Sequence, residues 1–140
     1  MHVRLIAVGK LGEPYLTAAA DDFRRRLRPY HRLEELELRD DAAILRRLAP
    51  DDHVWLLERT GTMFSSEELA ARLERLPHEG IARVTFVIAG ADGAGTDLLE
   101  RANVRWSLSA LTFLHEWARI IVLEQLYRAA KINANEPYHH

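Results

Sequence analysis

Short apolar runs alternate with helix-patterned segments along the chain, and this alternation restricts the possible folds more than any other feature. Each run is rich in β-branched or large aliphatic residues, as buried strands are. Strands that alternate with helices predict an α/β fold, a mainly parallel sheet flanked by helices. The predicted strands are residues 3–8, 54–57, 84–89 and 104–108, with a weaker one marked by Leu33, Leu36 and Leu38.

Helical spacing is clearest after the first strand, where Tyr15, Ala19, Phe23 and Leu27 follow Pro14. Proline favours the first turn of a helix, and apolar residues at this spacing share one face. The 140 residues contain no repeat or linker, so they predict a single domain over residues 1–140. The other predicted helices are residues 42–48, 65–77 (with Ser65 and Glu68 as a capping box), 98–102 and 116–131.

Composition excludes several classes of protein. The sequence has no cysteine, which rules out disulfides, thiolate zinc sites and cysteine nucleophiles. Its apolar runs are far shorter than the roughly 20 residues of a membrane helix, and its start lacks the apolar stretch of a signal peptide. A soluble, cytoplasmic protein is expected. The net charge of −2 argues against general electrostatic binding of nucleic acid but allows a local basic patch.

Three loops follow predicted strands, and they are candidate ligand sites because ligands of α/β sheets bind beyond the carboxyl ends of the strands. They begin after Leu57, Ala89 and Leu108. The second loop, residues 90–95, lacks both the glycine order of a dinucleotide fingerprint and the lysine of a P-loop. It is either a tight turn between strand and helix or a loop whose backbone N–H groups approach an anionic ligand.

The segment from His115 to Arg119 resembles the zinc motif His-Glu-x-x-His, with arginine at the second histidine position. A guanidinium group cannot bind a metal ion, so no metal site is predicted. The other histidines before the tail are scattered, and roles at the surface or at the edge of the core are expected for them.

Five arginines cluster around the end of the first predicted helix. They form either a solvated helix face or an RNA-contacting patch, and the glutamates that follow, Glu34, Glu35 and Glu37, would partly neutralise them. The five are Arg24, Arg25, Arg26, Arg28 and Arg32.

Polar and aromatic residues follow the last predicted helix. Arg128 and Lys131 lie three apart near its end, so they share a face. A guanidinium clamp for phosphate, an aromatic ring for stacking and a group that titrates near neutral pH are the parts of an RNA-contacting site. The competing interpretation is a frayed terminus, the commoner behaviour of a polar tail. The residues concerned are Asn133, Asn135, Tyr138, His139 and His140.

Five short motifs occur in order along the chain and together resemble one family. In order, spacing and chain length they resemble the RlmH family, bacterial methyltransferases of the SPOUT class that methylate N3 of a pseudouridine in 23S ribosomal RNA. The resemblance spans the whole chain, and its most specific motifs lie in the C-terminal half. The motifs are Ala7-Val8-Gly9-Lys10, Val87-Ile88-Ala89-Gly90, Ser107-Leu108-Ser109-Ala110-Leu111-Thr112-Phe113, Leu126-Tyr127-Arg128-Ala129 and Pro137-Tyr138-His139.

The resemblance implies a fold, a methyl donor and partners. The C-terminal part of the sheet would be tied in a deep trefoil knot, and S-adenosyl-L-methionine would bind in a bent form among the three loops. The protein would be a homodimer in which the partner chain completes each active site. Its substrate would be 23S rRNA in the assembled 70S ribosome. The implied reaction needs no metal ion and no membrane.

Position by position, the resemblance also implies two groups of site residues. Arg128, Tyr138 and His139 match the family positions tied to RNA binding and catalysis. The positions that would line the adenosylmethionine pocket are Leu57, Gly90, Leu108, Ser109, Ala110, Leu111, Thr112 and Phe113.

The chain departs from the family pattern in four places. Ala89 stands where a first glycine is usual, Ala91 and Asp92 replace other small or acidic residues, and Leu114 replaces a proline. These three changes would affect the shape of the loops and the affinity for the donor. His140 stands where a more basic residue is usual, which would weaken a phosphate contact near neutral pH.

A non-catalytic RNA-binding module with the same fold is the alternative function. A pure binder needs no donor pocket, so the glycine loop and residues 108–113 distinguish the two functions. A base methyltransferase with a Rossmann-like fold would carry a glycine motif after the first strand. Residues 9–12, Gly-Lys-Leu-Gly, lack its spacing.

Overall fold

The computed structural model describes all 140 residues, and their strands form one sheet in which every pair is parallel. The order across the sheet, β2-β1-β4-β3-β5, places β4 at its centre and β2 and β5 at its edges. The predicted α/β class is therefore confirmed. The strands are β1 (His2–Val8), β2 (Arg32–Leu38), β3 (His53–Met63), β4 (Arg83–Ile88) and β5 (Val104–Ser107).

Helices connect the strands, and the predicted capping box is present before the third of them. The Ser65 hydroxyl accepts from the N–H of Glu68 at 3.0 Å, and the Glu68 carboxylate accepts from the N–H of Ser65 at the same distance. No helix is both long enough and apolar enough to cross a membrane. The helices are α1 (Pro14–Leu27), α2 (Asp41–Arg47), α3 (Ser66–Arg75, followed by a 3-10 turn at Leu76–Glu79), α4 (Thr96–Arg101) and α5 (His115–Asn133).

The helices cover both faces of the sheet. On one face α1, α3 and α5 pack over strand residues such as Leu5, Trp55 and Phe86. On the other face α2 and α4 pack over Ile6 and Val87. The two sets alternate along each strand because successive side chains point to opposite faces. With both faces occupied, the loops at the carboxyl ends of the strands are left to form a site.

Two strands differ from their predicted form. β2 extends over seven residues although its apolar signal in the sequence is weak. The signal is weak because β2 is an edge strand that carries three glutamates. β3 continues to Met63 rather than ending at Leu57. After an irregular segment, residues 58–61, it pairs with β5 a second time, and both Leu57 and Thr62 are in register with Trp106. The sequence pattern cannot indicate this, since the second pairing depends on contacts with β5.

Arg119, at the second histidine position of the motif that resembles a zinc site, joins α5 to β2. Its side chain is buried, and its Nη1 donates to Glu37 Oε2 at 2.7 Å. Burial alone would raise the pKa of Glu37, but the hydrogen bond and charge of Arg119 outweigh burial and hold that pKa below its ordinary value. Arg119 therefore anchors α5, whose first residue borders the loop that follows β5.

Stability is expected to fall as the pH drops from about 6.5 to about 4, because of His31. Burial, aided by the nearby N-terminal ammonium group, lowers the pKa of His31 from 6.5 to about 4. Between these values the unfolded chain binds a proton that the folded chain does not, so acid lowers the free energy of unfolding by up to about 3 kcal/mol. Urea unfolding at about pH 7 and about pH 4.5 measures the difference. A His31→Gln variant with an undiminished pH dependence would contradict the assignment.

Candidate active site

A cleft of about 490 Å³ lies beyond the carboxyl ends of β4 and β5 and beside the irregular segment in the middle of β3. Its volume is within the range of roughly 300–1,000 Å³ typical of small-molecule sites. Ile88 and Trp106, both almost fully buried, provide apolar walls, and Glu58 and Asp92 provide carboxylates. The lining consists of residues 57–59, 88–94, 108–109 and 111–113, with Leu99, Trp106, His115 and Ala118.

Ser107, the last residue of β5, joins the irregular segment of β3 to the loop after β5. Its buried hydroxyl lies 2.8 Å from the carbonyl oxygen of Arg59 and 2.9 Å from that of Ser109. In the loop after β5, Ser109 Oγ accepts from the N–H of Leu111 at 3.0 Å. The irregular segment of β3 and the loop after β5 are thus held together by contacts of side chains with backbone groups, which gives the cleft a defined wall.

The glycine loop forms the opposite part of the lining and is also a tight turn. The N–H of Gly93 donates to the carbonyl of Gly90 at 2.9 Å, and Gly93 has a φ of 81°, a left-handed conformation that suits glycine. The N–H of Gly95 donates to Asp41 at the start of α2 at 2.7 Å. The loop is thus a tight turn between strand and helix, and it also borders the cleft, where its backbone could approach a ligand. The two interpretations of the loop are therefore compatible.

The structure brings together most of the residues implied for the adenosylmethionine pocket. One exception is Ala110, which lies in the same loop but outside the cleft lining. Those in the lining are Leu57, Gly90, Leu108, Ser109, Leu111, Thr112 and Phe113.

Five further lining residues have polar or aromatic side chains that the sequence analysis did not select. Glu58 and Arg59 directly follow a selected position, and Asp92 lies inside the glycine loop. Trp106 and His115 flank the segment of residues 108–113. Adjacency to a strand end was the only signal for them. A strand end does not reveal which neighbours turn toward the cleft.

The C-terminal tail turns back onto α5 and is held there, so the frayed interpretation is wrong. Asn135 has a φ of 59°, a left-handed conformation that asparagine tolerates and that ends the helix. Glu136 then accepts from the Tyr30 hydroxyl at 2.9 Å and lies 3.6 Å from the Lys131 ammonium group. The ring of Tyr138 packs edge-on against that of Tyr127, with 4.7 Å between centroids.

Arg128, Tyr138 and His139 meet at the end of this tail. The Arg128 guanidinium lies 4.9 Å from the centre of the Tyr138 ring, and its Nη1 lies 3.0 Å from His139 Nδ1. Glu124, one turn earlier on α5, accepts from Arg128 Nε at 3.1 Å. His139 Nε2 in turn contacts the Glu67 carboxylate on the first turn of α3. The three residues that the resemblance selects therefore form a connected cluster.

Tyr138 stays a neutral phenol in this cluster. Burial and the nearby Glu124 carboxylate raise its pKa above the ordinary 10, although Arg128 acts in the opposite direction. Its hydroxyl is therefore not a base near neutral pH. The ring can stack, and the hydroxyl can donate a hydrogen bond.

The cluster and the cleft lie at opposite ends of α5. His115, the first residue of the helix, borders the cleft, whereas Arg128 lies about 20 Å farther along the axis at about 1.5 Å per residue. None of Arg128, Tyr138 and His139 is in the cleft lining. Within one chain these two groups of predicted site residues do not meet.

An exposed apolar patch lies beside the cleft, around the start of α5. The rings of Tyr15 on α1 and Trp117 on α5 are 5.9 Å apart and both are largely exposed. Leu111 (69% exposed) and Leu114 (54% exposed) lie in the adjoining segment. Large apolar side chains that cluster in solvent mark an interaction surface.

The arginine cluster around the end of α1 is largely paired with acids of the same chain. Arg24 contacts Asp21 and Glu35, and Arg26 donates to Asp22 at 3.1 Å. Arg25 also pairs with Asp22, and only Arg28 and Arg32 of the cluster form no ion pair. This pairing favours the solvated-face interpretation over an RNA-contacting patch.

Comparison with known proteins agrees with the family that the motifs resemble. The family described as "Predicted SPOUT methyltransferase" matches residues 1–139. Ribosomal RNA large subunit methyltransferase H of Gloeobacter violaceus is 42% identical over 153 aligned residues, which cover 100% of this chain and 99% of the relative. The proteins of that name from Natranaerobius thermophilus (38%, 100% of both chains) and Exiguobacterium sibiricum (36%, 99% of both) are similar over the same extent. The chain therefore belongs to the SPOUT methyltransferase family and, within it, to the RlmH group that its motifs resemble.

Proposed function

We propose that the chain is an S-adenosyl-L-methionine-dependent methyltransferase that methylates N3 of a pseudouridine in 23S rRNA on the assembled ribosome. The observation that carries the proposal is the cleft formed by the irregular segment of β3 and by the loops after β4 and β5, where Ser107 holds the β3 segment and the loop after β5 together. A non-catalytic RNA-binding module has no use for such a cleft. The names of the relatives support ribosomal RNA as the substrate.

The residues of the cleft fit adenosylmethionine. Ile88 and Trp106 offer apolar surface for an adenine ring, and the loop from Leu108 to Phe113 offers backbone amides and carbonyls for its edge. The carboxylates of Glu58 and Asp92 complement a ligand that carries sulfonium and ammonium charges. The donor supplies a methyl group on a sulfonium, which leaves behind a neutral sulfide.

A homodimer is part of the proposal because the cleft and the cluster of Arg128, Tyr138 and His139 lie about 20 Å apart along α5. A second copy that packs against the apolar patch can bring its own cluster to the cleft of the first. The exposed Tyr15, Trp117 and Leu114 support a contact on this side, since a partner chain would bury them.

The chemistry left to the protein is orientation, exclusion of water and removal of one proton. N3 of a pseudouridine is an imide N–H and becomes nucleophilic when this proton is lost. His139, or a water that it positions, accepts the proton, and Arg128 stabilises negative charge on the base or on a neighbouring phosphate. Tyr138, kept neutral by its surroundings, stacks on or hydrogen-bonds to the target base.

The proposal includes a trefoil knot in the C-terminal part of a single domain over residues 1–140. The double pairing of β3 with Trp106 and the close packing of Gly61 against the backbone of Arg105 support it, because they place the irregular segment 58–61 directly against β5. In the proposed knot, the C-terminal part of the chain passes behind segment 58–61, which would keep the segments that line the cleft together.

Methyl transfer from radiolabelled adenosylmethionine tests the proposed function. The acceptors are ribosomes that lack the modification, large subunits isolated from them, and fully modified ribosomes. We expect label to enter only the unmodified assembled ribosomes. Donor binding without transfer to any acceptor would indicate another RNA target, and RNA binding without donor binding would indicate the non-catalytic module.

A further inference from the structure

Both ring nitrogens of His139 have partners within the chain. On one side, Arg128 Nη1 lies 3.0 Å from Nδ1. On the other side, Nε2 contacts the carboxylate of Glu67, which also forms an ion pair with the ring when the ring is protonated. The partners come from two different helices, α5 and α3, so the orientation of the ring depends on how these helices pack.

The donor properties of these groups determine where the ring proton lies. A guanidinium group can only donate hydrogen bonds, so Nδ1 facing Arg128 must be the nitrogen with the lone pair. An ionised carboxylate can only accept, so Nε2 must carry the hydrogen that faces Glu67. The contacts therefore select one neutral tautomer of His139, with Nε2–H directed at Glu67.

Glu67 is not part of the capping box of α3. In the capping box, the N–H of Glu68 donates to the Ser65 hydroxyl and the N–H of Ser65 donates to the Glu68 carboxylate. A carboxylate in the first turn is favourable for any helix, but it need not contact a histidine. The contact with a tail residue 72 positions away in sequence is therefore a separate feature of this side chain.

We propose that Glu67 is a positioning residue for methyl transfer, which holds Nε2–H of His139 so that Nδ1 is the nitrogen that accepts the substrate proton. This inference rests on the proposed function. When Arg128 turns to the RNA, Nδ1 is released while Glu67 keeps its hold on the other side of the ring. The arrangement is that of a carboxylate that orients a histidine base.

The proton balance of the step is simple. As N3 of the base gains the methyl group, its N–H bond breaks and the proton passes to Nδ1, which forms imidazolium. Glu67 accepts the hydrogen bond from Nε2–H throughout and stabilises the new positive charge. The proton returns to water after the product leaves. The charged groups around the ring are Glu67 from α3 and Arg128 and Glu124 from α5.

The contact itself is tested by NMR on the full chain labelled with ¹⁵N-histidine, without donor or RNA. We expect a protected Nε2–H signal for His139, assigned by its absence in His139→Gln. The signal should disappear in Glu67→Ala and persist in Glu74→Ala, which removes an exposed glutamate two turns farther along the same helix. A signal that survives Glu67→Ala would overturn the proposal.

The role is tested by single-turnover methyl transfer to unmodified ribosomes at saturating donor. We expect Glu67→Ala to lower the rate by roughly 10- to 100-fold, part of the roughly 10²- to 10⁴-fold that a positioned proton acceptor contributes. Donor affinity should not change, Glu67→Asp should restore part of the rate, and Glu74→Ala should behave as wild type.

A double variant separates positioning from a merely structural effect. If Glu67 acts through His139, Glu67→Ala should have no further effect on the rate in a His139→Ala background. An equal loss in both backgrounds, or a wild-type rate in Glu67→Ala, would overturn the proposal. A wild-type chain that transfers no methyl group would overturn the proposed function instead, and the NMR signal would still report whether Glu67 holds the ring.

Discussion

Mixing an Ala91→Trp chain with an Arg128→Ala chain is expected to restore methyl transfer that neither variant performs alone. Ala91 lies in the exposed glycine loop at the cleft, where an indole ring obstructs the donor. Arg128 belongs to the cluster at the other end of α5. If each active site combines the cleft of one chain with the cluster of its partner, a mixed dimer contains one intact site and one doubly defective site.

The expected recovery is quantitative. Each variant alone should lose about 100-fold or more of its single-turnover rate, because one has no donor and the other lacks the guanidinium that stabilises developing charge. Random reassociation at equal amounts makes about half of the dimers mixed, so about a quarter of the wild-type sites should be active. Adenosylmethionine titration supplies the control: Arg128→Ala should bind the donor as wild type does, whereas Ala91→Trp should not.

Native mass spectrometry, with one chain isotope-labelled, verifies that the mixture contains mixed dimers. If such a mixture shows no recovery of methyl transfer, the whole active site lies within one chain. That result would contradict the composite dimer while leaving the donor cleft intact. A chain that is monomeric at assay concentration but active would contradict it as well.

Gly61→Ala is expected to destabilise the fold by about 3 kcal/mol and to weaken donor binding. A Cβ at Gly61 would lie 2.4 Å from the carbonyl oxygen and 2.6 Å from the carbonyl carbon of Arg105, and both atoms belong to the backbone of β5. Backbone cannot rotate away as a side chain can, so the segment 58–61 must move off the strand. Glu58 and Arg59 in this segment line the cleft, and the Arg59 carbonyl contacts Ser107, so the movement should reach the donor site.

Thermal unfolding and adenosylmethionine titration measure the two effects of Gly61→Ala. A loss of about 10 °C in midpoint is expected for a chain of this size. Gly12→Ala is the matched control, because a Cβ there meets nothing within 4 Å and the backbone conformation suits alanine. Equal stability of the two variants would show that segment 58–61 does not pack on β5 as described.

Local patterns were sufficient to predict most of the fold and the positions of the loops that form the cleft. Buried strands such as β1 and β4 are recognisable as nearly continuous apolar runs, and the capping box of Ser65 and Glu68 marks a helix start without reference to the rest of the chain. The edge strand β2 was a weak prediction because an edge strand carries charge where a central strand cannot.

Contacts between distant residues were beyond the reach of such patterns. Nothing near residue 61 indicates that β5 lies against it, and nothing near Glu67 indicates that His139 will contact it. The arginines of α1 are a second example. They form a basic cluster in the sequence, but in the structure Arg24 and Arg26 are neutralised by Glu35 and Asp22.

The sequence by itself determined the α/β class, the loops after β4 and β5 and the family, because strand and helix periodicities and short motifs are properties of neighbouring residues. Tertiary structure alone decided that the tail turns back onto α5, which acids neutralise the arginines, and that the cleft and the cluster of Arg128, Tyr138 and His139 lie at opposite ends of one helix. These outcomes depend on where separate elements pack. That packing is set by the burial of apolar faces across the whole chain, and no local segment encodes it.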